Sequence, residues 1–251
     1  MILKRKECVI INFLIIIQVT MPIYTYTNWN IRPSDAEEQI EPFRKYFFIC
    51  EGANTETFYF RKLIDLRKTL NIHPLIDIRL MEKTEEHSNL SYPKQLLEFA
   101  ETLKDDESLD FDREHDKMIV IFDADIFEEK VSGYEELIKE GEKSNIIGIT
   151  NPGFEVFLLL HIEGAYEKYI KDNNDKFFKL DEKKRYRHPY NVLLEATGMN
   201  SKKNSKIGDL AENVTVAIAQ EKCINQDIHN VKGVVSSNIA SIIEEIIADR
   251  P

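Results

Sequence analysis

The amino-acid sequence predicts an α/β protein: a parallel four-stranded sheet flanked by helices, followed by a helical C-terminal part. Three observations predict it. Four short apolar runs, at residues 45–50, 75–80, 118–122 and 146–150, have the length and β-rich composition of strands. Helical patterns alternate with them, and a β-α repeat implies parallel strands joined by right-handed crossovers. Two of the runs stop on acidic residues, Glu51 after the first and Asp123 with Asp125 after the third. Ligands of such sheets collect outside the carboxyl ends of the strands.

The first strand, Lys45-Tyr-Phe-Phe-Ile-Cys50, runs into a turn, Glu51-Gly-Ala-Asn54. A helix starts near Thr55, with Phe58, Leu63, Leu66 and Leu70 at roughly helical spacing, and Pro74 breaks it. Residues 75–80 alternate as a strand does, and residues 82–91 form a polar loop. Pro93 opens the next helix at a tolerated first-turn position, with Leu96, Leu97, Ala100 and Leu103 on one face. A charged connection leads to residues 118–122, a continuous apolar run of the kind buried on both faces in parallel sheets. A helical segment around residues 134–143 precedes the fourth strand, 146–150, which ends at Asn151-Pro152-Gly153. Residues 154–161 read as a short buried helix. Beyond them strand signals fade. Helices are expected over 189–196, stopped by Gly198, and over 210–223 and 234–248. The chain divides into a leader over 1–42, an α/β domain over 43–161 and a helical region over 162–251.

The 251 residues include 43% hydrophobic and 31% charged types, which suits a packed soluble core. A net charge of −11 argues against a strongly basic nucleic-acid binder. The objection is moderate, because acidic nucleases hold their polyanion through metal ions and local basic patches. Cys8, Cys50 and Cys223 have no metal-ligand spacing and fit a reduced, cytoplasmic compartment. Lys4-Arg5-Lys6 before the apolar residues 8–19 looks like the start of a signal peptide. That run is short for a membrane span, which needs about 20 apolar residues. No small-x-small cleavage site follows it, so translation is expected to begin at Met21 and no stable membrane association is expected, a membrane anchor over this run being the minority reading.

Carboxylates converging at strand ends repel unless a cation holds them, so Glu51, Glu56, Asp123 and Asp125 point to Mg²⁺ or Mn²⁺ and to phosphate chemistry. If the strand stays extended, the one-residue gap returns Asp123 and Asp125 to one side. Each residue has a plainer reading beside that one. Asp123 or Asp125 can cap the following helix, Glu51 can be an exposed turn residue before Gly52, and Glu56 can complement a helix dipole. Glu155 lies among Phe154, Val156 and Phe157, where an unpaired buried carboxylate would be costly. His161 ends an apolar helix, as a hydrogen-bonded structural histidine or as a phosphate contact or proton shuttle. Asn151 shapes the strand-to-helix turn or touches a phosphate. Two basic stretches, Lys183, Lys184, Arg185 and Arg187, then Lys202, Lys203 and Lys206, can bind a nucleic-acid backbone or be solvated loops.

Glu51-Gly52 after the first strand and Asp123-x-Asp125 after the third resemble the Toprim domain, the metal-binding module of topoisomerases, primases and overcoming-lysogenization-type nucleases. Three segments narrow the resemblance to RloB-like proteins: Ile49-Cys50-Glu51-Gly52-Ala-Asn-Thr55-Glu56-Thr-Phe58-Tyr59-Phe60, Phe122-Asp123-Ala-Asp125, and Asn151-Pro152-Gly153-Phe154-Glu155-Val-Phe157-Leu-Leu-Leu160-His161. Gly153 stands where that family often has cysteine and Phe157 where it often has tryptophan; both positions read as packing. The resemblance implies a Toprim-like sheet and metal-dependent phosphodiester hydrolysis. Glu51, Asp123 and Asp125 would hold Mg²⁺ or Mn²⁺, Glu56 and Glu155 would complete the site, and Glu51 or Glu155 would accept a proton. It also implies an effector of restriction-linked, anti-phage loci, often paired with an ATPase. DNA and RNA, transfer RNA included, both stay open as substrates, as does a homo-oligomer. The alternative is a non-catalytic metal- or nucleotide-binding subunit of an ATPase-containing complex.

Overall fold

The computed structural model describes residues 24–28, 41–82, 92–129, 132–180 and 186–251. The apolar run at 8–19 and the basic residues Lys183, Lys184 and Arg185 lie outside the described residues. Six strands form one sheet: β1 (Tyr24–Tyr26), β2 (Arg44–Cys50), β3 (Ile76–Glu82), β4 (Lys117–Asp123), β5 (Ile146–Asn151) and β6 (Ser236–Ser237). Their spatial order is β1-β3-β2-β4-β5-β6. The four inner strands are those the apolar runs predict, and they pair in parallel. The sheet as a whole is mixed, which corrects the expected purely parallel four-stranded sheet. β1 pairs antiparallel with β3, and β6 pairs antiparallel with β5. A Tyr-Thr-Tyr triplet and a pair of serines are too short to leave a readable period, so neither edge strand was legible. β1 lies within the stretch read as a leader. Short edge strands also expose few unpaired backbone groups to another chain.

The helices are α1 (Thr55–Asp65), α2 (Pro93–Lys104), α3 (Ile126–Glu129), α4 (Tyr134–Gly141), α5 (Glu155–Leu159), α6 (Asn174–Phe177), α7 (His188–Thr197), α8 (Val214–Glu221) and α9 (Ile239–Ala248). Strand residues alternate between two buried layers, as the two-residue repeat of a strand requires. Tyr46, Phe48 and Cys50 of β2 face one layer, with Tyr59, Phe60, Leu63 and Ile64 of α1. Phe47 and Ile49 face the other, with Leu96, Leu97 and Ala100 of α2 and Ile138 of α4. The chain therefore leaves β2 through α1 toward β3, then crosses back over the opposite face through α2 to reach β4. Strand order reverses between β2 and β4, and that reversal opens a crevice at their carboxyl ends.

Residues on both sides of His161 share the α1 layer. Phe154, Phe157 and Leu160 pack there with Leu193, Ile207, Val214, Ile239 and Ile243. A 3-10 helix, Ser205–Asn213, lies so close to α1 that a Cβ on Gly208 would collide with the Phe58 carbonyl. α9 covers β5 near Gly148, where Ile242 would stand 3.4 Å from an added Cβ. α7 ends at Gly198, as the sequence predicts, in the left-handed conformation at φ +69°.

Candidate functional site

The site lies at the reversal point between β2 and β4. The ladder ends by handing the Glu51 amide to the Ile121 carbonyl at 2.9 Å, which places Glu51 one step beyond β2. In return the Asp123 amide donates to Glu51 Oε2 at 3.0 Å. Asp123, the last residue of β4, stands opposite Thr150 of β5, and the Thr150 hydroxyl donates to Asp123 Oδ1 at 2.5 Å. Glu56 enters from the first turn of α1 and is buried. Its carboxylate fills the space beside Gly52, so a side chain at 52 would have to displace it. Glu155 enters from the first turn of α5 and is also buried.

Gly153 sits between two of these groups. A Cβ added there would lie 3.3 Å from Glu155 Oε2 and 3.4 Å from Asp123 Oδ2. The position therefore borders the carboxylates, and its reading as mere packing is corrected. Phe157, by contrast, packs edge-on against Tyr59 with ring centroids 5.0 Å apart, within the buried α1 layer.

One cation group reaches this cluster from the C-terminal half. Lys202 Nζ is 3.0 Å from Glu155 Oε1, and the Ser201 hydroxyl donates to the same oxygen at 3.0 Å. The Ser201 carbonyl accepts from the Thr55 hydroxyl at 3.0 Å, which ties the lysine-bearing loop to the start of α1. The electrostatics follow from this crowding. Asp123 keeps some exposure, yet loss of water around it and repulsion from Glu51 and Glu56 push its carboxyl well above the usual range. Lys202 and the Thr150 hydroxyl only partly offset that. Desolvation pulls the Lys202 ammonium down, but Glu155, Glu56 and Asp123 outweigh it and hold the pKa above its ordinary value.

Other expected residues take separate places. β4 stops at Asp123, so extended geometry does not continue to Asp125. Asp125 accepts from Arg187 Nε at 3.0 Å, and Arg187 Nη1 donates to the Phe178 carbonyl at 2.9 Å. Asn151 turns to the opposite side of the sheet from Thr150. Its amide nitrogen donates to Glu128 at 2.8 Å and to the Val231 carbonyl at 2.7 Å. His161 has both ring nitrogens engaged. Nδ1 donates to the Phe157 carbonyl at 3.0 Å, so Nε2 accepts from the Tyr59 hydroxyl at 2.9 Å. Burial lowers its pKa from the ordinary 6.5 to about 4, so it is neutral and structural. Lys203 and Lys206 are exposed, and only Lys202 of that basic loop turns inward. Sequence reasoning missed Thr150 and Ser201 and the inward turn of Lys202. Strand alternation could have flagged Thr150; nothing in residue spacing marks the other two.

The fit of a divalent cation can be judged from these side chains. Glu51, Glu56, Asp123 and Glu155 offer only hard oxygen donors, as Mg²⁺ or Mn²⁺ prefers. The glycine at 153 leaves room between Asp123 and Glu155, and an ammonium group already stands in for a cation. Among the described residues, no three acidic, histidine or cysteine side chains are yet disposed as a metal cage. The donor chemistry suits such a metal, with Glu155 paired to Lys202.

A model of the RloB-like protein family matches residues 46–246. The chain belongs to that family. The matched span holds the whole cluster of this RloB-like protein, from Glu51 to Lys202, together with the Asp125–Arg187 pair. Neither the curated proteins nor the solved structures give a match. Among the described residues, no helix is long and apolar enough to cross a membrane.

Proposed function

We propose that this RloB-like protein is a divalent-metal-dependent nuclease with a Toprim-type site. The observation that carries the reading is the gathering of Glu51, Glu56, Asp123 and Glu155 at the crevice between β2 and β4, with Lys202 the cation group at its edge. Glu51, Asp123, Glu56 and Glu155 are the residues that would hold Mg²⁺ or Mn²⁺, with Asp125 joining if it leaves Arg187. The bound metal would polarise a phosphoryl oxygen and lower the pKa of an attacking water. Thr150 orients Asp123, Ser201 orients Glu155, and the Asp123 amide orients Glu51. Glu51 or Glu155 accepts the proton of the water. Lys203 and Lys206 offer exposed charge to a phosphate backbone. The substrate is DNA or RNA, with transfer RNA among the candidates. The family resemblance favours a cytoplasmic effector of anti-phage defence working beside an ATPase, and a homo-oligomer is compatible with it.

The test is cleavage of labelled DNA and of total RNA with Mg²⁺ or Mn²⁺, comparing the full chain with Glu51→Ala and Asp123→Ala. Cleavage by the unaltered chain, lost by at least about a hundredfold in both folded variants, is the expected result. Equal cleavage by all three would overturn it. The open disposition of the carboxylates favours one second reading, a non-catalytic metal- or nucleotide-binding subunit of an ATPase complex. Metal binding without cleavage, together with stable capture of an ATPase, would select that reading.

A further inference from the structure

We propose that Lys202 is the gate of the carboxylate cluster: its ammonium ion holds the cation position, and a divalent metal binds by expelling it. This deepens the metal-site reading and rests on it. Lys202 Nζ lies 3.0 Å from Glu155 Oε1, one of the oxygens a metal would need. The negative charge of Glu56 and Asp123 nearby also favours the ammonium form of this lysine. A single positive charge and a divalent ion cannot share that space, because like charges a few ångströms apart repel strongly where water is sparse. Among the described residues the carboxylates form no three-ligand cage, and Glu155 pairs with the ammonium.

The loop around Lys202 is built to let the side chain move while its base stays fixed. Ser201 is buried, with its hydroxyl on Glu155 and its carbonyl on Thr55. The Lys202 amide donates to Asn200 Oδ1 at 3.0 Å, and the Lys203 and Asn204 amides donate to the Asn200 carbonyl. The Lys202 side chain itself is 43% exposed, against 9% for Glu155. It therefore reaches the cluster from the solvent side and can swing out by rotating its own stem.

Two measurements on the full chain test the gate. The first is calorimetric titration of metal-free protein with Mn²⁺, comparing the unaltered chain with Lys202→Met. Removing the competing ammonium should tighten Mn²⁺ binding about tenfold or more, while the metal-free variant melts at a lower temperature. A purely structural lysine would lower the melting temperature without tightening binding. The second needs no substitution: acylation of lysine amines with an activated ester, read by mass spectrometry with and without saturating Mn²⁺. Lys202 labelling should rise severalfold with Mn²⁺ while that of Lys203 and Lys206 stays level. Unchanged Lys202 labelling at metal saturation, or equal Mn²⁺ affinity in both proteins, overturns the gate and leaves the metal site standing. Absence of any Mn²⁺ binding in either protein overturns the metal reading and the gate with it.

Discussion

His161 shows what burial does to a single titratable side chain. Its ring is enclosed by Tyr59 and Phe157, and burial is the largest influence on its pKa, outweighing the backbone hydrogen bonds that raise it. The unfolded chain protonates this histidine near 6.5 and the folded chain only near about 4. Below 6.5 the unfolded state therefore binds more protons, and stability falls with pH until about 4, where the loss levels off. Urea unfolding should show about 2 kcal/mol less stability from this group at pH 5 than at pH 7. His161→Gln should start less stable and lose that part of the slope; matching slopes would rule out a neutral buried histidine. The sequence favoured a structural histidine here but kept a phosphate contact or proton shuttle beside it, because an apolar helix end can hold either. Glu51, Asp123 and Glu155 were legible because each follows a strand that announces itself. Lys202 was not, since its neighbours Lys203 and Lys206 share its charge but remain in solvent.

Among the elements, β2, β4 and β5 were readable because burial on both faces demands continuous apolar runs, as Phe47 and Phe48 of β2 and Val120 and Ile121 of β4 supply, and β3 because its apolar residues alternate. The edge strands were not, because two serines and a Tyr-Thr-Tyr triplet are recruited by their neighbours and not by their own pattern. The C-terminal helices were legible only in part: the helix expected over 234–248 begins at Ile239, after β6, and the one expected over 210–223 starts inside the 3-10 helix and continues as α8; nor was their anchoring legible. Glu221 at the end of α8 is buried and accepts from the Ser237 hydroxyl and from the amides of Ala240 and Ser241 at 3.0 and 2.8 Å. It thus satisfies the first turn of α9 and locks α8 to β6. Glu221→Ala would leave those donors unpaired, and chemical denaturation should report a loss of about 2–4 kcal/mol. A loss no larger than that of an exposed glutamate would show that α9 is held by its apolar face alone.

At the scale of the whole molecule, a chain of net charge −11 would have to meet the proposed nucleic-acid substrate through a local basic surface. Lys203→Glu with Lys206→Glu should weaken nucleic-acid binding and reduce the slope of log affinity against log salt by about 1–2, while metal affinity stays constant. An unchanged slope would place the backbone contacts elsewhere. The long connections of the fold also bear on the order of its assembly. Glu51, Asp123 and Glu155 leave the ribosome before Lys202 does. A chain that has folded its strands but not yet docked the loop at 202 carries the crowded carboxylates without the Lys202 ammonium. If closing that loop is a late kinetic step, magnesium ions that occupied the carboxylates first would slow it, because the ammonium and the metal compete for one place. Under the proposed gate, the same ion would then be a competitor during folding, and refolding should slow as Mg²⁺ is raised.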